Sequence, residues 1–191
     1  PKFTDKRFVA KKPSRGDVIV FKTPADNRTD YIKRLIGLPG DTIQMKDGEI
    51  FLNKKKIKRR SIKITKEINC GKEAINVNAF EEILPNGKKY IAVYRDDGTM
   101  LNTDVFVVPD DHYFFMGDNR DCSKDSRFLS SVGYVSFINL VGKAKIIFFS
   151  NDKKKGSFIK FWRWNESLRI DRFFKNILWL KKLVNLKKKY K

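Results

Sequence analysis

Histidine is nearly missing from these 191 residues, with His112 standing alone. That excludes most His-based catalytic triads and His-rich metal sites. His112 itself reads as a strand or loop residue. Cysteine is almost as scarce. Cys70 and Cys122 lie far apart and lack metal-ligand spacing. They could form one disulfide in an oxidising compartment, but the sequence alone does not establish the pairing. No run approaches the roughly 18 apolar residues of a membrane-spanning helix, and no charged-then-apolar leader opens the chain. Pro1 stands where an initiator Met would be expected. The expectation is therefore a piece of a longer protein, in which a missing anchor excludes little. No internal repeat appears.

Negative charge is also short. Against 42 Lys and Arg there are 22 Asp and Glu, a net charge of +20. Such a field favours anionic partners, either nucleic acid or an anionic bilayer surface. The excess is uneven: residues 151–191 hold 14 basic and 3 acidic side chains, or +11. A second cluster, eight basic residues between Lys54 and Lys66, reads as a solvated hairpin and loop. Hydrophobic residues make up 41%, enough for a packed core.

Along the chain, short apolar runs alternate with turn signals. Val18 to Phe21 and Tyr31 to Ile36 read as strands, the second stopped by Gly37-Leu38-Pro39-Gly40-Asp41. Thr42 to Met45 and Ile50 to Leu52 flank Asp47-Gly48, a hairpin signal, and Asn53 with the lysines after it makes the next turn. Residues from about 55 to 100 are more polar, with turns at Pro85-Asn86-Gly87 and Asp96-Asp97-Gly98, and read as an inserted β region. Strands resume at Val105 to Val108, Tyr113 to Met116 and Val141 to Phe149. Many short strands with few helix signals predict a mainly β, antiparallel fold. The expected organisation is a β core from 1–53 and 104–150, an inserted β subdomain over 54–103 and a basic tail over 151–191.

The tail differs in kind. Ile170, Phe173, Phe174, Ile177, Leu180 and Val184 recur at helical spacing, with Arg169, Arg172, Lys175, Lys182 and Asn185 opposite. Trp162, Trp164 and Trp179, all the tryptophan in the chain, lie here. This pattern predicts an amphipathic C-terminal helix on an anionic membrane surface. The competing reading is a helix docked on its own domain.

Two segments concentrate chemistry. In the strand from Tyr31 to Ile36, alternation puts Tyr31, Lys33 and Leu35 on one face and Ile32, Arg34 and Ile36 on the other, so one of two adjacent cations faces inward. An ammonium beside apolar groups loses hydration and its pKa falls, which would make it a candidate general base. Taken alone, such a lysine reads as a strand-edge residue that snorkels to water. The second segment, Met116 to Arg127, carries three Asp, two Arg, two Ser, an Asn and a Gly directly after an apolar strand. That density supports a tightly hydrogen-bonded loop. A calcium-type loop is disfavoured because the Gly and terminal Glu of an EF-hand are missing.

The pair YIKRLIGLPGD and MGDNRDCSKDSR, preceded by RGDVIVF, resembles the signature boxes of the bacterial type I signal peptidases, the S26 or leader peptidase family, and the order matches too. The likeness covers residues 14–50 and 104–150 well, and the FWRWNESLRIDRFF stretch is similar to C-terminal tails in some members. The resemblance implies a membrane-anchored Ser/Lys peptidase that removes signal peptides from exported preproteins at the outer face of the bacterial inner membrane, without metal or cofactor. It implies Lys33 as general base, Ser123 as the hydroxyl that orients it, Asp125 and Arg127 as a bracing pair, and Gly117, Asp118, Asn119 and Arg120 as shapers of the loop. Tyr31 and Ile32 become candidates to line the substrate site. Cys122 stands where the family tolerates variation.

One feature of the family is not found. Its nucleophile lies in a Ser-x-Ser-Met-x-Pro box ahead of the RGDVIVF segment, and no such box occurs here. Met45, Met100 and Met116 stand in other contexts, and Ser14 matches no nucleophile motif. The box is expected upstream of Pro1, and these residues alone are expected to cleave nothing. A catalytically dead membrane-associated relative, a nucleic-acid-binding β domain and a self-cleaving repressor-type protease are the rivals. No OB or RNP-type aromatic motif supports the second, and the Gly-Asp-Asn-Arg sequence speaks against the third.

Deleting residues 157–191 is expected to abolish binding to anionic liposomes in co-sedimentation. Unchanged binding would rule out the interfacial tail.

Overall fold

The structure is a computed structural model that describes residues 12–70, 73–147 and 175–176. Contacts divide the chain after Ala144, and the two units are taken separately.

In the first unit, β1 (Val18–Lys22) and β2 (Asp30–Gly37) pair antiparallel with Ile19 opposite Lys33 and Val20 opposite Ile32. β12 (Leu140–Lys143) flanks β1, β10 (His112–Met116) flanks β2, and β11 (Val135–Ser136) closes that side, giving the order β11-β10-β2-β1-β12. β10 reads Tyr-Phe-Phe-Met without alternation because both of its faces are covered. Phe114 and Met116 enter one apolar cluster with Ile36, Ile43 and Met45. Tyr113 and Phe115 enter another with Ile19, Phe21, Leu35 and Leu140. Burial of each such side chain is worth roughly 1.5–3 kcal/mol, so packing on both faces anchors β10 and the start of the loop that follows Met116.

The second sheet holds β3 (Thr42–Lys46), β4 (Glu49–Leu52), β5 (Lys55–Lys56) and β9 (Phe106–Val107) in the order β5-β4-β3-β9. Its Asp47-Gly48 turn has φ of 49° and 70°, the left-handed pair that a two-residue hairpin requires. Asn53 and Lys54 repeat this at 51° and 64°, with the Asn53 side chain tied to the Thr42 N–H at 2.8 Å and to Asp41 at 2.7 Å.

The polar stretch after residue 55 is β as expected. β6 (Lys58–Cys70), β7 (Glu73–Ile83) and β8 (Lys89–Arg95) form a three-stranded sheet. Its base joins the first core: Leu84, Tyr90, Ala92 and Tyr94 pack with Ile36, Ile43, Phe106 and Phe114. Lys55–Lys56 pair instead with β4 in the second sheet. A disulfide joins Cys70, at the far end of β6, to Cys122, with Cα atoms 5.5 Å apart. A short 3-10 turn (Phe137–Asn139) precedes β12.

The strand expected over Val141 to Phe149 is divided. Leu140–Lys143 pairs with β1, where Lys143 reaches Asp17 at 2.7 Å. In the second unit, β13 (Ile146–Ile147) pairs with β14 (Lys175–Asn176). The helix expected over 158–186 lies outside the described residues except at Lys175–Asn176, which are extended.

The disulfide closes a separation of 52 residues. Paired Cys70→Ser and Cys122→Ser substitution is expected to lower unfolding stability by about 2–4 kcal/mol, read as a lower urea midpoint. An unchanged midpoint would mean the link does not form in solution.

Candidate active site

β2 delivers two neighbouring cations to opposite faces, and both are withdrawn from water in different ways. Arg34 is 5% exposed and fully partnered. It grips Asp118 with a two-point fork at 2.7 and 2.6 Å, donates to the Gly16 carbonyl at 2.9 Å, and lies 4.3 Å over the Tyr90 ring. Lys33 is half-buried and has one hydrogen-bond partner among the described residues, the Ser123 hydroxyl at 2.8 Å. The Tyr31 ring centre is 5.4 Å from its Nζ.

The two cations also differ in chemistry. A guanidinium stays charged in a protein, whereas a buried ammonium sheds its proton readily. Burial is the largest influence on Lys33 and lowers its pKa. The Asp125 charge opposes this, the Arg127 charge adds to it, and Asp118 opposes it; the net direction is down from 10.5.

Ser123 reaches Lys33 because the loop after β10 folds back on that strand. The Ser126 N–H donates to the Phe115 carbonyl at 3.0 Å, and the Phe115 N–H donates to the Ser126 hydroxyl at 2.9 Å. Asp125 is fully buried. Its carboxylate accepts the Gly117 N–H at 2.9 Å and the Nε and Nη2 N–H groups of Arg127 at 2.8 and 2.9 Å. Arg127 also donates to the Arg120 carbonyl. Gly117 is required by close approach: a Cβ there would lie 2.1 Å from Ser123 Oγ, so any side chain would push the hydroxyl off its seat.

The structure thus gathers Lys33, Ser123, Gly117, Asp118, Asp125 and Arg127 around one point. Arg120 lies behind the loop, and Asn119 sits beside Val93 with its Oδ1 buried and unpartnered among the described residues. Tyr31 flanks Lys33, while Ile32, one position along, is the exposed apolar residue of β2 at 53%. Among the described residues no three His, Cys, Asp or Glu side chains are grouped as a metal would require.

Sequence reasoning missed Arg34 as a partner of Asp118, and it missed Glu82, Tyr90 and Tyr94. Glu82 is buried and surrounds itself with donors: the hydroxyls of Tyr90 and Tyr94, and Arg120 at 2.6 Å. Its neighbour Glu81 instead faces outward to Arg60 at 3.1 Å. Only the Tyr90-x-Ala92-x-Tyr94 alternation hinted at an inward face opposite Glu82.

A family model described as "Signal peptidase, peptidase S26" matches residues 2–149. The chain belongs to the signal peptidase I family. Relatives from Rickettsia conorii and Rickettsia prowazekii, both signal peptidase I, are 42% and 43% identical over 90% of this chain. The chain spans about two-thirds of their length, 68% in each case. A crystal structure of a signal peptidase I from Enterococcus faecalis V583 covers 70% of this chain and 97% of its own, with 26% identity and a TM-score of 0.42. Family membership makes this a serine peptidase, a hydrolase of a membrane-associated type in bacteria. Among the described residues no helix is long and apolar enough to cross a membrane.

The depressed Lys33 value has a consequence for stability. Between its folded value and the ordinary 10.5, the unfolded chain holds a proton that the folded chain has lost, so stability rises with pH through that window. Lys33→Met removes the buried charge. It is expected to stabilise the protein at pH 7, with the advantage shrinking as pH approaches 10.5. Urea unfolding at pH 7 and pH 10 checks this; an advantage that is absent, or that grows with pH, contradicts the burial of the ammonium.

Proposed function

We propose that this chain is the catalytic body of a Ser/Lys signal peptidase, which cleaves signal peptides from exported preproteins at the outer face of the bacterial inner membrane. The observation that carries the reading is the 2.8 Å contact between a half-buried Lys33 amine and the Ser123 hydroxyl. In this reading, the neutral Lys33 amine takes the proton of a nucleophilic serine as its oxygen attacks the carbonyl before the cut. The resulting ammonium gives that proton to the departing amine as the peptide bond breaks. Water then hydrolyses the acyl-enzyme with the same base. Ser123 aims the amine and does not react, filling the third-group role of a triad.

No serine of this chain stands in a Ser-x-Ser-Met-x-Pro pattern. This reading assigns the nucleophile to a serine that these 191 residues do not carry, and expects no cleavage by them alone. Tyr31, beside Lys33, and the exposed Ile32 line the path of an extended peptide that pairs with a strand edge. Small residues one and three positions before the cut fit this reading. The basic tail over 157–191 holds the body to anionic lipid.

In the protein joined to its serine-bearing segment, Lys33→Ala is expected to cut processing of a preprotein by about 10² to 10⁴-fold. Ser123→Ala should lose less. Retention of more than roughly a hundredth of the activity by Lys33→Ala would overturn the base assignment, as would cleavage by the 191-residue chain alone for the missing nucleophile.

A further inference from the structure

Glu82 and Arg120 are each about 1% exposed, and they form an ion pair at 2.6 Å. They join two regions distant in sequence: β7 of the three-stranded sheet and the loop that carries Ser123. Burial pulls the Glu82 carboxyl pKa up, but the Arg120 charge and the two tyrosine hydroxyls outweigh it, so the carboxylate stays ionised. Burial, aided by the Glu82 charge and opposed by that of Arg120, pushes Tyr94 up to about 12. Both partners therefore remain charged inside the fold.

We infer that Glu82 is a positioning residue for the Lys33–Ser123 pair, acting through Arg120 and the Gly117 carbonyl.

The path is short and continuous. One arm of the Arg120 guanidinium is held by Glu82 and by the Tyr90 hydroxyl at 2.9 Å. The other arm donates to the Gly117 carbonyl at 2.8 Å. Ser123 Oγ in turn occupies the space that a Cβ on Gly117 would take. Backbone bonds support the same placement: the Arg120 N–H donates to the Val93 carbonyl at 3.0 Å, and the Val93 N–H donates to the Asp118 carbonyl at 2.8 Å. A buried ion pair is a poor source of stability, because apolar residues of similar volume often do as well. What a fixed guanidinium fork adds is direction. Here it sets where the Gly117 carbonyl sits, and with it the seat of the hydroxyl that faces Lys33.

The catalytic meaning of this rests on Lys33 being the base; the positioning does not. The test therefore reads Lys33 itself. In the full protein, the acetylation rate of each lysine is followed by mass spectrometry across pH. The groups facing Lys33 are Tyr31, Asp118, Ser123, Asp125 and Arg127, and all are left unchanged. In Glu82→Gln the Lys33 midpoint is expected to move up towards the ordinary lysine value, because a loosened loop readmits water. The double variant Glu82→Gln/Arg120→Met removes both charges and restores packing if the single variant fails to fold; the same upward move is expected. Ile50→Ala, a core substitution on β4, should destabilise the protein without moving the midpoint. Processing should fall roughly ten- to hundred-fold in kcat with KM little changed. An unchanged Lys33 midpoint in either folded Glu82 variant overturns the inference and leaves Lys33 as the proposed base. Conversely, a Lys33→Ala protein that still cleaves would refute the base while the Glu82 effect on the midpoint persisted.

Discussion

The structure depends on an amine kept partly out of water against a single hydroxyl. An exposed lysine is protonated at neutral pH and useless as a base. Burial beneath the loop after β10 draws the Lys33 pKa down; the Asp125 and Asp118 charges oppose this and the Arg127 charge adds to it. Moving any of these would change the balance, so the surrounding fold must be stiff.

Stiffness comes from arginine forks placed around the loop. Arg34 holds Asp118, Arg127 holds Asp125, and Arg120 reaches from Glu82 to the Gly117 carbonyl. The two buried carboxylates are also engaged by other donors, Asp125 by the Gly117 N–H and Glu82 by the Tyr90 and Tyr94 hydroxyls, the condition under which buried charges are tolerated. Breaking one of these pairs on one side only would leave an uncompensated charge, at a cost of about 3–5 kcal/mol. The loop therefore holds one shape or is lost as a whole.

The three-stranded sheet belongs to this scaffold. Besides Glu82 and Val93, it meets the loop through Asp121, which accepts the Arg95 N–H at 2.8 Å, and through the Cys70–Cys122 disulfide beside Ser123. A segment that reads as a polar insertion is thus tied to the loop that carries Ser123 by backbone bonds, an ion pair and a covalent link.

Local signals were enough to place most strands and turns. Asp47-Gly48 predicts a left-handed two-residue turn because few other residue pairs adopt it. The density of short polar side chains from Gly117 to Arg127 predicts a self-bonded loop. The family boxes brought Lys33 and Ser123 together on one list of residues, 90 positions apart. Only the tertiary structure decided which of the two cations is held by an ion pair and which faces a lone hydroxyl, because that depends on Asp118 and Gly16 reaching Arg34, and Ser123 reaching Lys33, from elsewhere in the chain. It alone chose Glu82 over Glu81, since the inward face of β7 is set by its pairing with Tyr90 on β8. And it alone paired Cys70 with Cys122, because spacing in the chain carries no information about which ends of two distant segments meet.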